Sequence, residues 1–491
     1  MNFPLLLRTV KHLRPTQVFY QVKNRLVKAK YVPLSAPAVK GSGFKTEPIP
    51  RYKSLEGNRF TFLNLEHEYV GWNFTDNGML WAYNQNYFDW LNQEGMAADE
   101  GCKWIDRFIE ELPSNRVGLD PYPIALRCIN WIKFFCKYPE TVTKDRLDSL
   151  YSQVRLLEKK LEYHLLANHL LEDAFALYIG AAYYGDERLL KKAKKLLLSQ
   201  LKEQVLPDGA HYEQSPMYHC ILLDRLLDCI NIGEGMTVNG VELRKYASLM
   251  LGHLESVVWE DGSIPLLNDA AYGIAPTPEQ LFDYARRLDI KWKPIAMKEC
   301  GYRKMKNERM EAIVDVGNIT ATYQPGHTHA DTFNYELRID GNPFVVDTGI
   351  STYNKNERRQ YDRSSKAHNC VVVDGKDSSE VWGGFRVGRR ARVSGFQSGV
   401  NGFGAWHDGY RKPCRRYFEM KDGIFTVEDR YDGEAVSYIH LAVDADESRI
   451  TVEGATSIEI REENYSTEYN RIRPCKVMAI HFNGKLKCTI R

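Results

Sequence analysis

Apolar residues recur at helical spacing along the first three-fifths of the chain and at alternating positions along the rest. From Pro121, the apolar positions Ile124, Cys128, Trp131 and Phe135 return every third or fourth residue, which predicts a helix opened by proline. Residues 144–185 read as two helices broken near Ala167-Asn168. Residues 187–205 are a further amphipathic segment, stopped by Leu206-Pro207-Asp208-Gly209. Ser215 before Pro216 is an N-cap followed by proline at the first helical position, and 241–259 carries another helix. Helix after helix, with no strand pattern between, predicts hairpins packed side by side in a curved, closed or nearly closed array with a cleft at the helix ends.

After about residue 310 the period becomes two. Residues 312–316, 334–349, 368–375, 423–433 and 436–454 alternate, and Asp-Gly, Glu-Gly or similar turns punctuate them. This predicts an antiparallel β-domain of two stacked sheets. The expected organisation is multidomain α+β: residues 1–60 as an N-terminal basic helical extension, 61–308 as the helical domain and 309–491 as the antiparallel β-domain. A chain of 491 residues exceeds what one hydrophobic core usually supports, in agreement with this division.

Composition narrows the class. The chain is 43% hydrophobic and 26% charged, which excludes wholesale disorder, and no apolar window is long enough to span a membrane. With 66 basic and 64 acidic residues the balance is too even for a nucleic-acid binder. Ten scattered cysteines without a C-x-x-C pair argue against a cysteine-based zinc site or a disulfide scaffold. The 29 tyrosines and 9 tryptophans suit stacking on sugar rings as well as core filling. The first thirty residues are basic without an acid, which allows association with an anionic membrane surface, although a solvated helix face is the preferred reading. No secretory signal is read, so a cytoplasmic location is expected, with the periplasm or cell envelope as the alternative.

Three clusters carry candidate chemistry. In Gly326-His327-Thr328-His329-Ala330-Asp331, an extended backbone would project His327, His329 and Asp331 to one side, as a divalent metal requires, with Asp347 and His368 as further ligands. Asn168-His169 lies at an expected helix start, where Asn is ordinarily a cap. The loop 208–219 brings Tyr212, Glu213, His211 and His219 to a helix whose first turn holds Tyr218, near the unsatisfied N–H groups and the positive dipole end.

The segments NHLLEDAFAL (168–177), LPDGAHYEQSPMYH (206–219), DGSIPLLNDAA (261–271), HTHAD (327–331), FVVDTG (344–349), Arg363 through HNCVVVDG (368–375) and VWGGFRVGRRARV (381–393) together resemble the heparinase II/III-like family of polysaccharide lyases, to which alginate lyases of the same architecture are related. The resemblance implies an N-terminal helical (α/α) toroid followed by a C-terminal antiparallel β-sandwich. It also implies an acidic polysaccharide substrate cleaved by β-elimination. By the same resemblance, Asn168 with His169 would neutralise the uronate carboxylate, Tyr218 and His327 would be catalytic, and His329, Asp347 and His368 would hold a structural metal, usually zinc. Tyr212, Glu213 and Arg363 are expected to bind substrate, and Tyr212 is the alternative catalytic tyrosine.

These residue types suit the reaction. Hydrogen bonds to the carboxylate stabilise the enolate-like charge that develops when the proton alpha to it is removed, and Tyr218 or His327 can take that proton. Two rivals remain at this stage. A glycoside hydrolase would need two facing carboxylates, for which Glu172, Asp173, Asp208 and Glu213 are available. A non-catalytic protein of cell-surface polysaccharide assembly would bind glycan without turnover.

Overall fold

The computed structural model describes residues 3–41, 43–233 and 240–491. The chain opens with α1 (Phe3–Val10) and α2 (Pro15–Leu26), then a small sheet of β1 (Leu55–Glu56), β2 (Arg59–Phe62) and β3 (Leu65–Glu68). Nine helices of eight or more residues follow among the described residues: α3 (Met79–Tyr87), α4 (Ala98–Glu111), α5 (Pro121–Lys137), α6 (Lys144–Lys159), α7 (Ala167–Tyr184), α8 (Glu187–Gln204), α9 (Pro216–Gly233), α10 (Gly240–Val257) and α11 (Pro278–Arg287). The helices expected around 121–137, 144–185, 187–205, 216–232 and 241–259 are all present. Ser215 caps α9 as expected, its Oγ accepting from the Tyr218 N–H at 3.3 Å.

Helix α7 is the axis of this part. Nearly every residue in it is buried, and it packs against α5, α6, α8 and α9. A helix apolar on all sides belongs at the centre of a helical domain, with amphipathic neighbours such as α8 around it.

From β4 (Tyr302–Lys306) onward the chain is antiparallel sheet. The strands β5 (Met310–Asp315), β6 (Tyr335–Ile339) and β7 (Asn342–Val345) come first, and then α12 (Glu357–Asp362) and the short β8 (Val371–Val372), β9 (Val381–Trp382) and β10 (Arg386–Val387). The remainder is β11 (Val393–Ser398), β12 (Gly402–His407), β13 (Cys414–Lys421), and the long β14 (Ile424–Ala442), β15 (Ile450–Glu468) and β16 (Arg471–Ile490). The first half of β14 pairs with β13, and its second half reaches β7 and β8 beyond a register shift between Tyr431 and Glu434. One hydrogen-bonded sheet thus turns over itself. Ala312 and Leu337 from one face share a core with Phe418, Phe425 and Ile480 from the other, giving the sandwich.

Three local readings differ from expectation. Strands start at Tyr302, ahead of residue 309, because β4 is an edge strand in which Arg303, Lys304 and Lys306 mask the alternation. The small sheet at 55–68 straddles the expected boundary at residue 60; Phe60 and Phe62 bury its inner face against Trp81, Trp90 and Trp104. The basic N-terminus packs onto the body rather than extending from it. Arg8 makes two 2.7 Å bonds to Glu380, and Arg14 pairs with Glu203 at 2.6 Å. Phe3, Leu7, Phe19, Val22 and Leu26 stay exposed on these helices.

One buried pair secures the β-domain loops. Arg416 on β13 grips Asp429 on β14 with two bonds of 2.6 and 2.7 Å and donates to the carbonyls of Phe333 and Asn369. Those carbonyls lie just beyond the His329 and His368 segments. Arg416→Ala would leave Asp429 buried and unpaired, with an expected loss of about 3–5 kcal/mol in denaturant unfolding; a loss below about 1 kcal/mol would contradict this role.

Candidate active site

A cleft of about 620 Å³ lies between the helical and β domains, within the ~300–1,000 Å³ range of ligand sites. Asn168, His169, Glu213, Tyr218 and His327 all line it, with Tyr83, Tyr87, Tyr122, Tyr272, Tyr353 and Tyr469 supplying aromatic wall.

Glu213 organises this group. The entry to α7 is irregular, with Leu166 and Ala167 at φ of 60° and 54°, and Leu166 offers no side-chain cap. Glu213 takes that place from a distant loop. Its Oε1 accepts the Asn168 backbone N–H at 2.9 Å, and the Asn168 Nδ2 lies 3.0 and 3.1 Å from its two oxygens. A carboxylate at a helix N-terminus satisfies an unbonded N–H and meets the positive dipole end. The same carboxylate holds Nδ1 of His327 in a short hydrogen bond. Burial opposes the charge on Glu213, yet His327, His211 and the Asn168 N–H together hold its carboxyl down at about 2.

In its neutral form, with Nδ1–H donated to Glu213, the His327 imidazole has an Nε2 lone pair to offer. Its ring stacks on Tyr218 with centroids 3.8 Å apart and planes 19° from parallel. The Tyr218 hydroxyl lies 3.2 Å from that of Tyr353. Burial raises the Tyr218 phenol above its ordinary value, so it is protonated near neutral pH. His169 bonds Glu162 at 3.0 Å and keeps 31% of its side chain exposed to the cleft. Burial disfavours its cation, but Glu162, Glu213 and Glu172 outweigh that and raise its pKa.

Two residues expected at the substrate lie elsewhere. Tyr212 is buried away from the cleft lining, with its hydroxyl 2.6 Å from that of Tyr323, which bonds Glu203. Arg363 is fully buried and holds the Thr328 carbonyl through Nη2 at 2.7 Å and Nε at 3.2 Å, so it shapes the loop after His327 instead of meeting a ligand. Glu213, the third, lines the cleft but is engaged by Asn168 and His327.

The expectation that His327, His329 and Asp331 share one face is also corrected. The segment is a succession of turns rather than a strand, so alternation does not apply. His327 turns to the cleft, while His329 points inward to Asp269. Asp347, His368 and His329 form a chain. Asp347 Oδ2 bonds Nδ1 of His368 at 2.8 Å, Nε2 of His368 lies 3.2 Å from Nδ1 of His329, and Nε2 of His329 bonds Asp269 at 2.8 Å. Arg359 closes the chain with bonds of 2.5 and 2.7 Å to Asp269.

The protons follow from this pattern. Burial works against charge on His368, but Asp347 and Asp331 raise it to about 9; burial pushes His329 down to about 3 despite Asp269. His368 therefore carries the proton between its two acceptors. Asp347 is saturated by His368, the Asn334 amide and the Gly349 N–H at 2.7 Å. Nδ1 of His329 and Nε2 of His368 thus face each other, while Asp347 lies on the opposite nitrogen of the His368 ring. Among the described residues, the group of three donors that does converge is Asp208, His253 and Cys300, all buried.

The sequence alone gives no role to Asn268, Asp269 or Tyr353, and it leaves Arg359 open between a substrate contact and packing; the structure pairs Arg359 with buried Asp269. Asn268 accepts from the His329 N–H at 2.9 Å and donates to the Gln214 carbonyl at 3.1 Å, tying the two histidine-bearing loops together. The Asn-Asp pair ending the 261–271 motif was the available signal; its partners in space were not.

An (α/α) toroid followed by an antiparallel sandwich, with a cleft between, is the architecture of a group of polysaccharide-degrading proteins, and the comparisons agree. The model described as Heparinase II/III N-terminus matches residues 128–282, and that described as Heparinase II/III-like, C-terminal matches 289–449. The chain belongs to the heparinase II/III-like family. It is 24% identical over 331 residues to a heparin-sulfate lyase of Pedobacter heparinus, covering 60% of this chain and 48% of that protein, so it spans about half the length of this curated relative. Among solved structures, a heparinase III aligns over 86% of this chain and 79% of its own at 13% identity, TM-score 0.67. Heparan sulfate lyase HepC from Pedobacter heparinus aligns over 96% and 87% at 15% identity, TM-score 0.55.

The low pKa of Glu213 has a consequence in acid. A carboxyl at about 2 in the folded state, against an ordinary 4.5, stabilises the fold above pH ~4.5 and loses that contribution as pH falls toward ~2. The stability difference between the native protein and Glu213→Gln should therefore shrink across this window in urea titrations; a difference independent of pH there would contradict the assignment.

Proposed function

We propose that this protein is a polysaccharide lyase that cleaves a uronic-acid-containing chain by β-elimination. The observation that carries the reading is the convergence, on one cleft, of Asn168 and His169 from α7, Tyr218 from α9 and His327 from the β-domain around a single buried carboxylate. The family membership and the names of the relatives support the same reading.

The geometry offers two proton roles. His327, oriented through Nδ1 by Glu213, offers Nε2 as the base that removes the proton alpha to the uronate carboxylate. Tyr218, kept protonated by burial, donates to the departing glycosidic oxygen. His169, biased toward its cation by Glu162, and the remaining Asn168 N–H face the substrate carboxylate and stabilise the charge that develops on it.

The four acids put forward for a hydrolase do not face one another across the cleft. Glu172 and Asp173 are fully buried in α7, and Asp208 is held by the Lys298 and Cys300 N–H groups at 2.9 Å each. Of the four candidate acids only Glu213 lines the cleft, and it is already bonded.

The cleft also bears on the substrate. Its lining lysine and arginines are Arg51, Lys53 and Arg225, and each is paired: Arg51 with Asp224 at 2.5 Å, Lys53 with Glu56 at 2.8 Å, and Arg225 with Asp224 at 3.1 Å. Asp89, Glu213 and Glu468 add negative charge. Among the described lining residues both arginines are already held in buried pairs, which favours a uronate polymer with few sulfates.

Purified protein offered unsulfated and sulfated uronans should release ultraviolet-absorbing unsaturated product, faster from the unsulfated ones. Tyr218→Phe should lower turnover by about 10²-fold or more with an unchanged melting temperature. Full activity in Tyr218→Phe would refute the acid role. Absence of unsaturated product from the whole panel would favour a glycan-binding protein without turnover.

A further inference from the structure

Away from the cleft, Asp208, His253 and Cys300 each present one donor atom, and these atoms all lie within 4.8 Å of one another in a fully buried setting. Asp208 belongs to the loop after α8, His253 to α10, and Cys300 to the segment that enters β4. Three separate parts of the chain therefore meet at this point.

The hydrogen bonding there is incomplete. Asp208 spends Oδ2 on two backbone N–H groups, those of Lys298 and Cys300, at 2.9 Å each. Its Oδ1 receives a long contact of 3.4 Å from the Ala210 N–H, and the Cys300 thiol also bonds the carboxylate. Nδ1 of His253 is buried and has no hydrogen-bond partner, although the residue is only 4% exposed. Buried polar atoms are almost always satisfied, and an imidazole with an unbonded buried nitrogen, grouped with a carboxylate and a thiol, calls for a ligand.

We propose that Asp208, His253 and Cys300 bind one divalent metal ion of the zinc type, separate from the His329–His368 pair and independent of the lyase reading. One sulfur, one imidazole nitrogen and one carboxylate oxygen form a donor set that zinc accepts. At ordinary zinc–ligand lengths, tetrahedral donors stand about 3.3–3.8 Å apart, so small side-chain movements close the observed group around an ion. On binding, the Cys300 thiol gives up its proton to solvent and the thiolate becomes the ligand, which makes occupancy weaker in acid.

The position gives the ion a structural task. The loop that starts at Asp208 continues to His211 and Glu213, and Gln214 Nε2 bonds the Cys300 carbonyl at 2.7 Å. The ion would clip this loop to α10 and to the start of the β-domain, holding in place the residue that caps α7 and orients His327. With three protein donors, a water molecule or the second Asp208 oxygen completes the shell.

The test is spectroscopic and uses the whole protein. Protein produced in minimal medium with cobalt as the added transition metal should contain about one equivalent at this site and show a thiolate-to-cobalt charge-transfer band, because Cys300 alone among the candidate metal groups supplies sulfur. Cys300→Ser should abolish the band, and His253→Gln should weaken or remove it. As a measurement that needs no variant, X-ray absorption of the zinc-loaded protein should show one sulfur scatterer at about 2.3 Å. A folded native protein with no thiolate–cobalt band and only nitrogen or oxygen around its zinc would overturn the proposal, as would a band that persists in Cys300→Ser.

Discussion

The site depends on one buried carboxylate with three clients. Glu213 caps the irregular start of α7 through the Asn168 N–H, anchors the Asn168 amide and orients His327 from the other domain. A buried charge is costly unless every part of it is bonded, so the three contacts stabilise one another and are lost together. Removing any of them leaves either an unsatisfied helix N–H or a misdirected imidazole. The constraint also explains why the loop 206–219 is polar beyond packing needs: it carries the charge that holds the two domains in register around the cleft.

A second relay lies behind this one. Arg359, Asp269, His329, His368 and Asp347 form an unbroken line of hydrogen bonds through the base of the β-domain. Asp269 also donates its N–H to the His327 carbonyl at 3.2 Å, and Asn268 ties His329 to the Gln214 loop. The backbone on either side of His327 is therefore fixed from below while Glu213 fixes its ring from above. The relay positions the site residues and faces away from the cleft.

Much of this was legible in the sequence. The six helices α5 to α10 and the change to alternating strands follow from apolar periodicity, because these elements repeat their buried positions regularly along the chain. Asn168, His169, Tyr218 and His327 were singled out through local motifs and family resemblance, and all four line the cleft. What local pattern could not supply was direction. Tyr212 in the loop and Tyr218 in the first turn of α9 stand six residues apart, and the chain turns at Gln214, with φ of 59°, between the tyrosine facing Tyr323 and the one facing the cleft. On a strand His327 and His329 would share a face, whereas turns send them to opposite environments. Arg363 reads as a substrate cation in sequence, yet its partner is the carbonyl of Thr328, which no side-chain pattern encodes.

The central claim is elimination rather than hydrolysis, and oxygen isotope incorporation tests it most directly. Digestion of an unsulfated uronan in ¹⁸O-labelled water, followed by mass spectrometry of the fragments, distinguishes the two routes at the broken bond. Elimination adds no water, so each new non-reducing end should carry an unsaturated uronate and the fragments should contain no label from the cleavage step. Fragments that gain one water, with ¹⁸O fixed at the cleaved bond, would contradict the assignment of His327 and Tyr218 as the base and acid of a lyase.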